Sequence, residues 1–283
     1  MLEGAVADSQ ATIRLVVDAD GFGLSAARNR GVLAAHRGGI VTSTSVLGNA
    51  SDAAALMAEL ASAPGLGTGL LLTLVGGSPI ARPQDVPSLV SPEGGFPARA
   101  AGVLAAWAKA TLRGEDLERE FDAQIARWRD AGLGIDHLCA KDGLGALPVV
   151  AAACESVARR HGIVGLRTAV ERPTLAWAAD IPRALATAVQ GALAWYNRRQ
   201  MGALRHGPQT WGQFESGRLD EIRLLEILGR LSPGSHEILC VPDLDETDKA
   251  APRASEVAAL TSPRVRQAIL RHAIELCRWS DLF

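Results

Sequence analysis

Aromatic residues, lysines and long apolar runs are scarce in this chain of 283 residues. Aromatic residues make up 4% of the sequence, and lysine occurs only at Lys109, Lys141 and Lys249. The formal net charge is −2, so there is no excess of positive charge for binding nucleic acid or an anionic membrane. No apolar run approaches the roughly 20 residues that a membrane-spanning helix needs. We therefore expect neither a nucleic-acid partner nor a membrane partner.

The four cysteines are widely spaced and do not form a Cys-x-x-Cys pair. This spacing indicates neither a zinc knuckle nor a disulfide framework. The first ten residues, MLEGAVADSQ, lack the basic start and the apolar stretch of a signal peptide. We expect residues 1–10 to be a disordered tail, residues 11–283 to form one domain, and the protein to be cytoplasmic.

Hydrophobic residues make up 48% of the chain, which is enough to bury a large core. Short β-branched runs alternate with helical patterns of 10–15 residues, and this alternation predicts an α/β fold with parallel strands. Strands are predicted at residues 12–18, 40–47, 69–75, 134–140, 163–169 and 237–242. Helices are predicted at residues 25–36, 51–62, 98–112, 115–131, 148–160, 181–204, 219–231 and 263–277, with Ser25 and Ser51 as N-caps. Residues 76–97 form a long loop, typical of a lid or a binding loop.

A glycine-rich turn follows the first predicted strand. Residues 21–26 fit the G-x-G-x-x-A pattern of a dinucleotide-binding turn between a strand and a helix. That pattern needs an acid about 20 residues later to bind the ribose, but residues 41–45 read VTSTS and the next acid is Asp52. Asp18 and Asp20 would also repel a pyrophosphate. The sequence therefore disfavours a nucleotide site.

Asp18 and Asp20 instead suit acid–base chemistry. They are two residues apart in an extended segment, so they share one face of the strand. They lie at its C-terminal end, where parallel α/β folds place their catalytic groups. Neighbouring carboxylates raise each other's pKa, which suits one of them to proton transfer near neutral pH. The alternative for Asp18 is a role in capping the next helix.

Several stretches resemble the YdjC-type carbohydrate deacetylases, the family of chitooligosaccharide deacetylase and of relatives from hopanoid biosynthesis. That family opens with a strand ending in N-A-D-D-F-G and continues with a strand of the type G-I-V-T-S-T-S. This chain has DADGFG at 18–23 and GIVTSTS at 39–45, and the likeness resumes at Asp136-His137-Leu138, at the strand carrying Arg167, and at LTSPRVR, 260–266. The resemblance implies a TIM-like (β/α) barrel with parallel strands in a single domain.

The metal ligands of that family have no counterpart in this chain. The ligand aspartate falls on Gly21, the first ligand histidine falls on Leu71, and the later histidine run falls on residues 139–145, CAKDGLG. The assisting histidine falls on Val241, whereas the aspartate cast as general base matches Asp20. We therefore expect no bound metal and no other cofactor.

A weak magnesium site at Asp18, Asp20 and Asp142 is left open as an alternative. With the imidazoles replaced, the resemblance predicts a roomier and drier pocket for a small molecule that has an apolar part. We expect the catalytic residues to be Asp20, Asp18, Lys141, Asp142 and Arg167. We expect the substrate-binding residues to be Phe22, Leu71, Thr73, Cys139, Trp211 and Val241.

Three functions follow as hypotheses. In the first, Asp20 and Asp18 move protons while Lys141 or Arg167 stabilises an anion, as in an elimination, isomerisation or cyclisation of secondary metabolism. The second is a non-catalytic relative that binds a ligand or a partner. The third is a deacetylase with an unusual site. The retained Asp20 favours the first, and a homodimer is the expected assembly.

Overall fold

The computed structural model describes residues 12–200, 207–245 and 253–283. The tail predicted at residues 1–10 lies outside these ranges. Within them, eight strands pair in parallel to form one curled sheet: β1 Ile13–Phe22, β2 Ser43–Leu47, β3 Gly67–Leu72, β4 His137–Ala140, β5 Gly165–Leu166, β6 Gln209–Trp211, β7 Gly234–Cys240 and β8 Ile274–Leu276. The strand order is β5-β4-β3-β2-β1-β7-β6, and β8 pairs with the start of β1.

Helices connect the strands, as the alternation of patterns predicts. The described residues contain α1 Ala26–Gly38, α2 Ala53–Leu60, α3 Ala100–Ala108, α4 Gly114–Asp130, α5 Pro148–Arg160, α6 Ile181–Gln200, α7 Glu221–Leu228, α8 Arg253–Leu260 and α9 Pro263–Arg271. Ser25 is the N-cap of α1, as predicted, and accepts a hydrogen bond from the backbone N–H of Arg28. The predicted cap Ser51 is wrong, because Asp52 caps α2 by accepting from the N–H of Ala55. In this part of the chain, no helix has the length and the apolar character needed to cross a membrane.

The two edges of the curled sheet approach each other. Glu171, beyond β5, forms an isolated parallel bridge with Thr210 of β6, and the N–H of Gly207 donates to the carbonyl of Leu166 at 3.3 Å. These contacts do not extend into a ladder between β5 and β6. The fold is therefore an α/β domain with a curled parallel sheet, and full closure into a TIM-like barrel stays a prediction.

The two faces of β1 differ in what they contact. Leu15, Val17 and Ala19 are fully buried in the main apolar core. Val16 packs instead with Trp279, on the alternate face that also carries Asp18 and Asp20. Alternation along β1 thus sends apolar side chains to the main core and two carboxylates to the concave side of the sheet.

The long loop at residues 76–97 has the irregular backbone that the sequence predicts, apart from one 3-10 turn at Pro83–Asp85. Two carboxylates of α4 hold it in place: Glu120 accepts from the N–H groups of Ile80 and Ala81, and Asp116 accepts from that of Ser88. The loop is therefore fastened along α4.

Candidate active site

A cavity of about 440 Å³ opens at the C-terminal ends of the strands. One part of its lining is polar and includes Asp20, Arg28, Lys141, Asp142, Arg167 and Gln190. The other part is apolar and includes Leu24, Leu47, Leu71, Leu239 and Val241. The cavity therefore suits a ligand that is polar at one end and apolar at the other.

Arg167 lies at the floor of this cavity and joins three carboxylates. Its Nη1 is 2.8 Å and 3.0 Å from the two carboxylate oxygens of Asp20. Its Nη2 is 2.5 Å from Oδ2 of Asp18, and its Nε is 2.8 Å from Oε1 of Glu237. The guanidinium of Arg167 thus binds carboxylates from both β1 and β7. Arg167 directly follows the short strand β5, which sets its position.

The three carboxylates differ in their access to the cavity. The side chains of Asp18 and Glu237 are fully buried, whereas 18% of the Asp20 side chain is exposed. Asp20 also lines the cavity and Asp18 does not. Asp20 is therefore the member of this group that a ligand can contact.

Burial raises the pKa of Asp20 to about 6, because the neighbouring charge of Asp18 adds to the effect of burial and Arg167 offsets only part of it. Burial also acts on Asp18, but the charges of Arg167 and His137 and the hydrogen bond from Ser45 outweigh it and lower the pKa of Asp18. The carboxylates that surround Arg167 raise the pKa of its guanidinium, so it stays charged. At neutral pH, Asp20 is the group at the cavity floor that is suited to take up and release a proton.

Glu237 is a member of this group that the sequence analysis missed. Its Oε1 accepts from Arg167 and also, at 3.3 Å, from Nε1 of Trp279. The available signal is a single glutamate at the start of the otherwise apolar strand stretch EILCVP, residues 237–242. A charged residue is fully buried only rarely without a partner, so this position indicates a buried ion pair.

Lys141 and Asp142 lie together at the rim, in a 3-10 turn at Lys141–Ala146 that follows β4. The Nζ of Lys141 is 2.8 Å from Oδ2 of Asp142. Asp142 has a positive φ of 58°, so its backbone is in the left-handed region. The structure thus brings Asp20, Arg167, Lys141 and Asp142 to one cavity, with Asp18 beneath them.

The predicted substrate-binding residues fall into three groups. Leu71 and Val241 line the cavity. Cys139 is buried beside Ser45 and borders a smaller adjoining cavity of about 30 Å³. The structure places the remaining three away from the main cavity lining: Phe22 is in the core, Thr73 is held by Gln124, and Trp211 donates to His236. For Phe22, a register shift between Asp20 and Phe22 in the pairing of β1 with β2 interrupts the alternation, so Phe22 leaves the face of Asp20 and packs in the core. Thr73 lies just beyond the end of β3.

The residues present do not fit the metal site that the resemblance implies. Gly21 has no side chain, and a Cβ there would lie 3.7 Å from Nη1 of Arg28, a cation in place of a ligand. Leu71 offers no donor atom, and Gln190 fills the space beside Gly143, 2.7 Å from where a Cβ would be. In the ranges that the structure describes, no three His, Cys, Asp or Glu side chains are grouped to hold a metal ion.

Known proteins are similar to this chain in sequence and in fold. The family model described as YdjC-like protein matches residues 14–271. The carbohydrate deacetylase of Geobacillus stearothermophilus is 26% identical over 95% of this chain and 97% of its own length, and that of Mus musculus is 29% identical over 95% of each. A crystal structure from Enterococcus faecalis V583, named as a candidate cellobiose-phosphate cleavage protein, has a TM-score of 0.77 at 25% identity and covers 96% of this chain and 99% of its own. The chain therefore belongs to the YdjC-like protein family.

Proposed function

We propose that this protein is a cytoplasmic enzyme that uses Asp20 to move a proton on a small amphiphilic molecule, without a bound metal ion. The observation that carries the proposal is the position of Asp20. It is the exposed member of a buried carboxylate group, it lines the cavity, and its pKa is raised to about 6. The proposal takes this cavity to be the mouth of the TIM-like barrel that the sequence predicts.

The neighbouring residues define the chemistry. Above pH 6, ionised Asp20 accepts a proton from a carbon or a hydroxyl group of the bound molecule. Arg167 and Lys141 lie in the same lining and stabilise the negative charge that this removal leaves on the ligand. The apolar wall that includes Leu71 and Val241 binds the rest of the molecule. Elimination, isomerisation and cyclisation need no more than these groups.

A deacetylase is the second candidate, because relatives of this chain are named carbohydrate deacetylases. The cations Arg167 and Lys141 are placed to stabilise an oxyanion in that reaction as well. Asp20 would then activate the attacking water directly. The two candidates differ in their product, since a deacetylase releases acetate.

The test compares two isosteric variants, Asp20→Asn and Asp18→Asn, on fractionated small-molecule extract in D₂O with chelator present. Mass spectrometry detects incorporated deuterium, new products and free acetate. We expect Asp20→Asn to lower the rate by about 10²–10⁴-fold, the usual contribution of a general acid or base. Asp18→Asn should cost less, because Asp18 does not line the cavity.

Lys141→Ala and Arg167→Ala complete the comparison. A fully active Asp20→Asn beside inactive Lys141→Ala or Arg167→Ala would contradict the acid–base role. If every variant and the wild type merely bind a ligand without converting it, the non-catalytic hypothesis is correct. Acetate release from N-acetylated sugars that is lost in Asp20→Asn would support the deacetylase instead.

A further inference from the structure

His137 lies beneath the carboxylate group and is fully buried. Its ring stacks on Trp279, with 4.7 Å between the ring centroids. On another side lies Gly69 of β3, where a Cβ would come within 2.4 Å of the ring. The imidazole is thus held in one place, at the N-terminal end of β4.

Each ring nitrogen of His137 faces a hydrogen-bond acceptor. Nδ1 is 2.6 Å from Oδ1 of Asp136, and Nε2 is 3.0 Å from Oγ of Ser45. Ser45 has a single hydroxyl hydrogen, which it donates to Oδ2 of Asp18 at 2.8 Å. Ser45 therefore accepts from Nε2, and the ionised Asp136 accepts from Nδ1. These two bonds require a proton on both nitrogens.

We propose that His137 is a positioning residue, a buried imidazolium between Asp136 and Asp18. Its positive charge keeps Asp18 ionised, so Asp20 is the carboxyl group that exchanges its proton with the cavity. The inference rests on the proposed function of Asp20 and deepens it, because it explains how one of two adjacent aspartates is selected for proton transfer.

The charges that face His137 come from three strands or their ends. Asp136 precedes β4, Asp18 lies on β1 with its Oδ1 3.7 Å from Nε2, and Arg167 follows β5. Burial and Arg167 disfavour the charged ring, but the hydrogen bond and charge of Asp136 and the charge of Asp18 outweigh them and raise the pKa of His137. The other close groups, Ser45 and Trp279, carry no charge.

The selection of Asp20 follows from how the cations are divided. Asp18 has two cations beside it, Arg167 and His137, and it also accepts from Ser45. The carboxylate of Asp20 pairs with Arg167, which also binds Glu237, whereas Arg28 donates to the backbone carbonyl of Asp20. If His137 loses its proton, Asp18 becomes the costlier carboxylate to ionise and takes up the proton. Asp20 then loses a neighbouring negative charge, so its pKa falls.

The first measurement is ¹⁵N NMR of histidine-labelled protein between pH 5 and 8.5. We expect both ring nitrogens of His137 to keep a bound hydrogen over this range. His36, which makes a single ring-nitrogen hydrogen bond to the carbonyl of Val41, serves as the reference histidine. A His137 with one protonated nitrogen at neutral pH would overturn the proposal, since the ring would then carry no positive charge beside Asp18.

The second measurement follows the Asp20 carboxyl carbon by ¹³C NMR in Asp136→Asn, an isosteric change that removes the anion at Nδ1. We expect the titration of Asp20 to move to lower pH by about 1 unit or more. The control His36→Gln should leave it unchanged. An unchanged titration in a folded Asp136→Asn would remove the positioning role, even with His137 protonated. Both measurements need no substrate, so their failure is distinct from a failure of the turnover test.

Discussion

Asp18 and Asp20 carry the same side chain and share one face of β1, yet their pKa values shift in opposite directions. Burial acts on both groups in the same direction. The difference comes from partners: Asp18 has Arg167, His137 and Ser45, whereas Asp20 has Arg167 together with the repulsion of Asp18. For these two residues, the charges and hydrogen bonds of the neighbouring side chains, rather than burial, therefore decide the direction of the pKa shift.

The charge of Glu237 is expected to affect the pKa of Asp20. In Glu237→Gln the amide oxygen can still accept from Arg167 and Trp279, but one negative charge beside Arg167 is lost. Arg167 then stabilises ionised Asp20 more strongly, so the pKa of Asp20 falls. We expect the low-pH limb of the activity profile to move down by about 1 pH unit. Glu155→Gln, whose carboxylate pairs with Arg159 on α5, is the control. A limb that stays in place or moves to higher pH would contradict this account.

The carboxylate pair could be predicted from the sequence because strand alternation places residues two apart on one face. Arg167 and Val241 entered through family resemblance, and both line the cavity. Glu237 and the role of His137 could not be predicted in this way. Glu237 lies 70 positions from its partner Arg167, and His137 lies 92 positions from its partner Ser45, so these pairings are set by tertiary structure.

Among the elements, β3 shows how a strand makes room for the site. Gly69 faces the ring of His137, and a methyl group there would lie 2.2–2.4 Å from three ring atoms. Trp279 is stacked on the ring, so the imidazole has little room to move. We expect Gly69→Ala to lower the free energy of unfolding by about 1–3 kcal/mol, as in other overpacked cores.

Chemical denaturation measures this change, with Gly134→Ala as the matched control. No atom lies within 4 Å of a Cβ at Gly134, and its backbone is outside the left-handed region. The control should change the free energy of unfolding by about 0.5 kcal/mol or less. Equal losses in the two variants would show that Gly69 has no special contact with His137.

Predicted and observed elements agree best where a long periodic pattern has a clear start. α5 begins at Pro148 and ends at Arg160, as predicted. The helix predicted at 263–277 is too long, because α9 ends at Arg271. A positive φ of 50° at Ala273 then turns the chain into β8. β5 is only two residues long instead of spanning 163–169, and β6 and α8 were not predicted. Short strands depend on neighbouring strands for their hydrogen bonds, so local sequence carries little signal for them.

In the whole molecule, the net charge of −2 gives no indication that several charged side chains are clustered inside the fold. Asp18, Asp20 and Glu237 surround Arg167, and Asp136 and His137 continue the chain of contacts across the sheet. This group occupies the concave side of the curled sheet, next to an apolar core. Average composition cannot predict it, because it depends on which strands are neighbours.

The same organisation gives a prediction about metal content. The carboxylates are bound to Arg167, and Gly21 and Leu71 offer no ligand atom, so we expect no stoichiometric zinc, nickel or magnesium in the purified protein. Elemental analysis after expression in metal-supplemented medium checks this. One tightly held metal ion per chain would contradict the prediction and favour the deacetylase.

The role of Asp20 as the proton-exchanging carboxyl group is tested most directly by a ¹³C NMR titration of the aspartate carboxyl carbons in metal-free protein. Asp18→Asn and Asp20→Asn are used to assign the two signals. Our account predicts that Asp20 titrates at about pH 6, while Asp18 stays ionised to below its ordinary value of 3.8. The account is contradicted if Asp20 titrates at or below 3.8. It is equally contradicted if the signal that titrates near pH 6 disappears in Asp18→Asn and persists in Asp20→Asn.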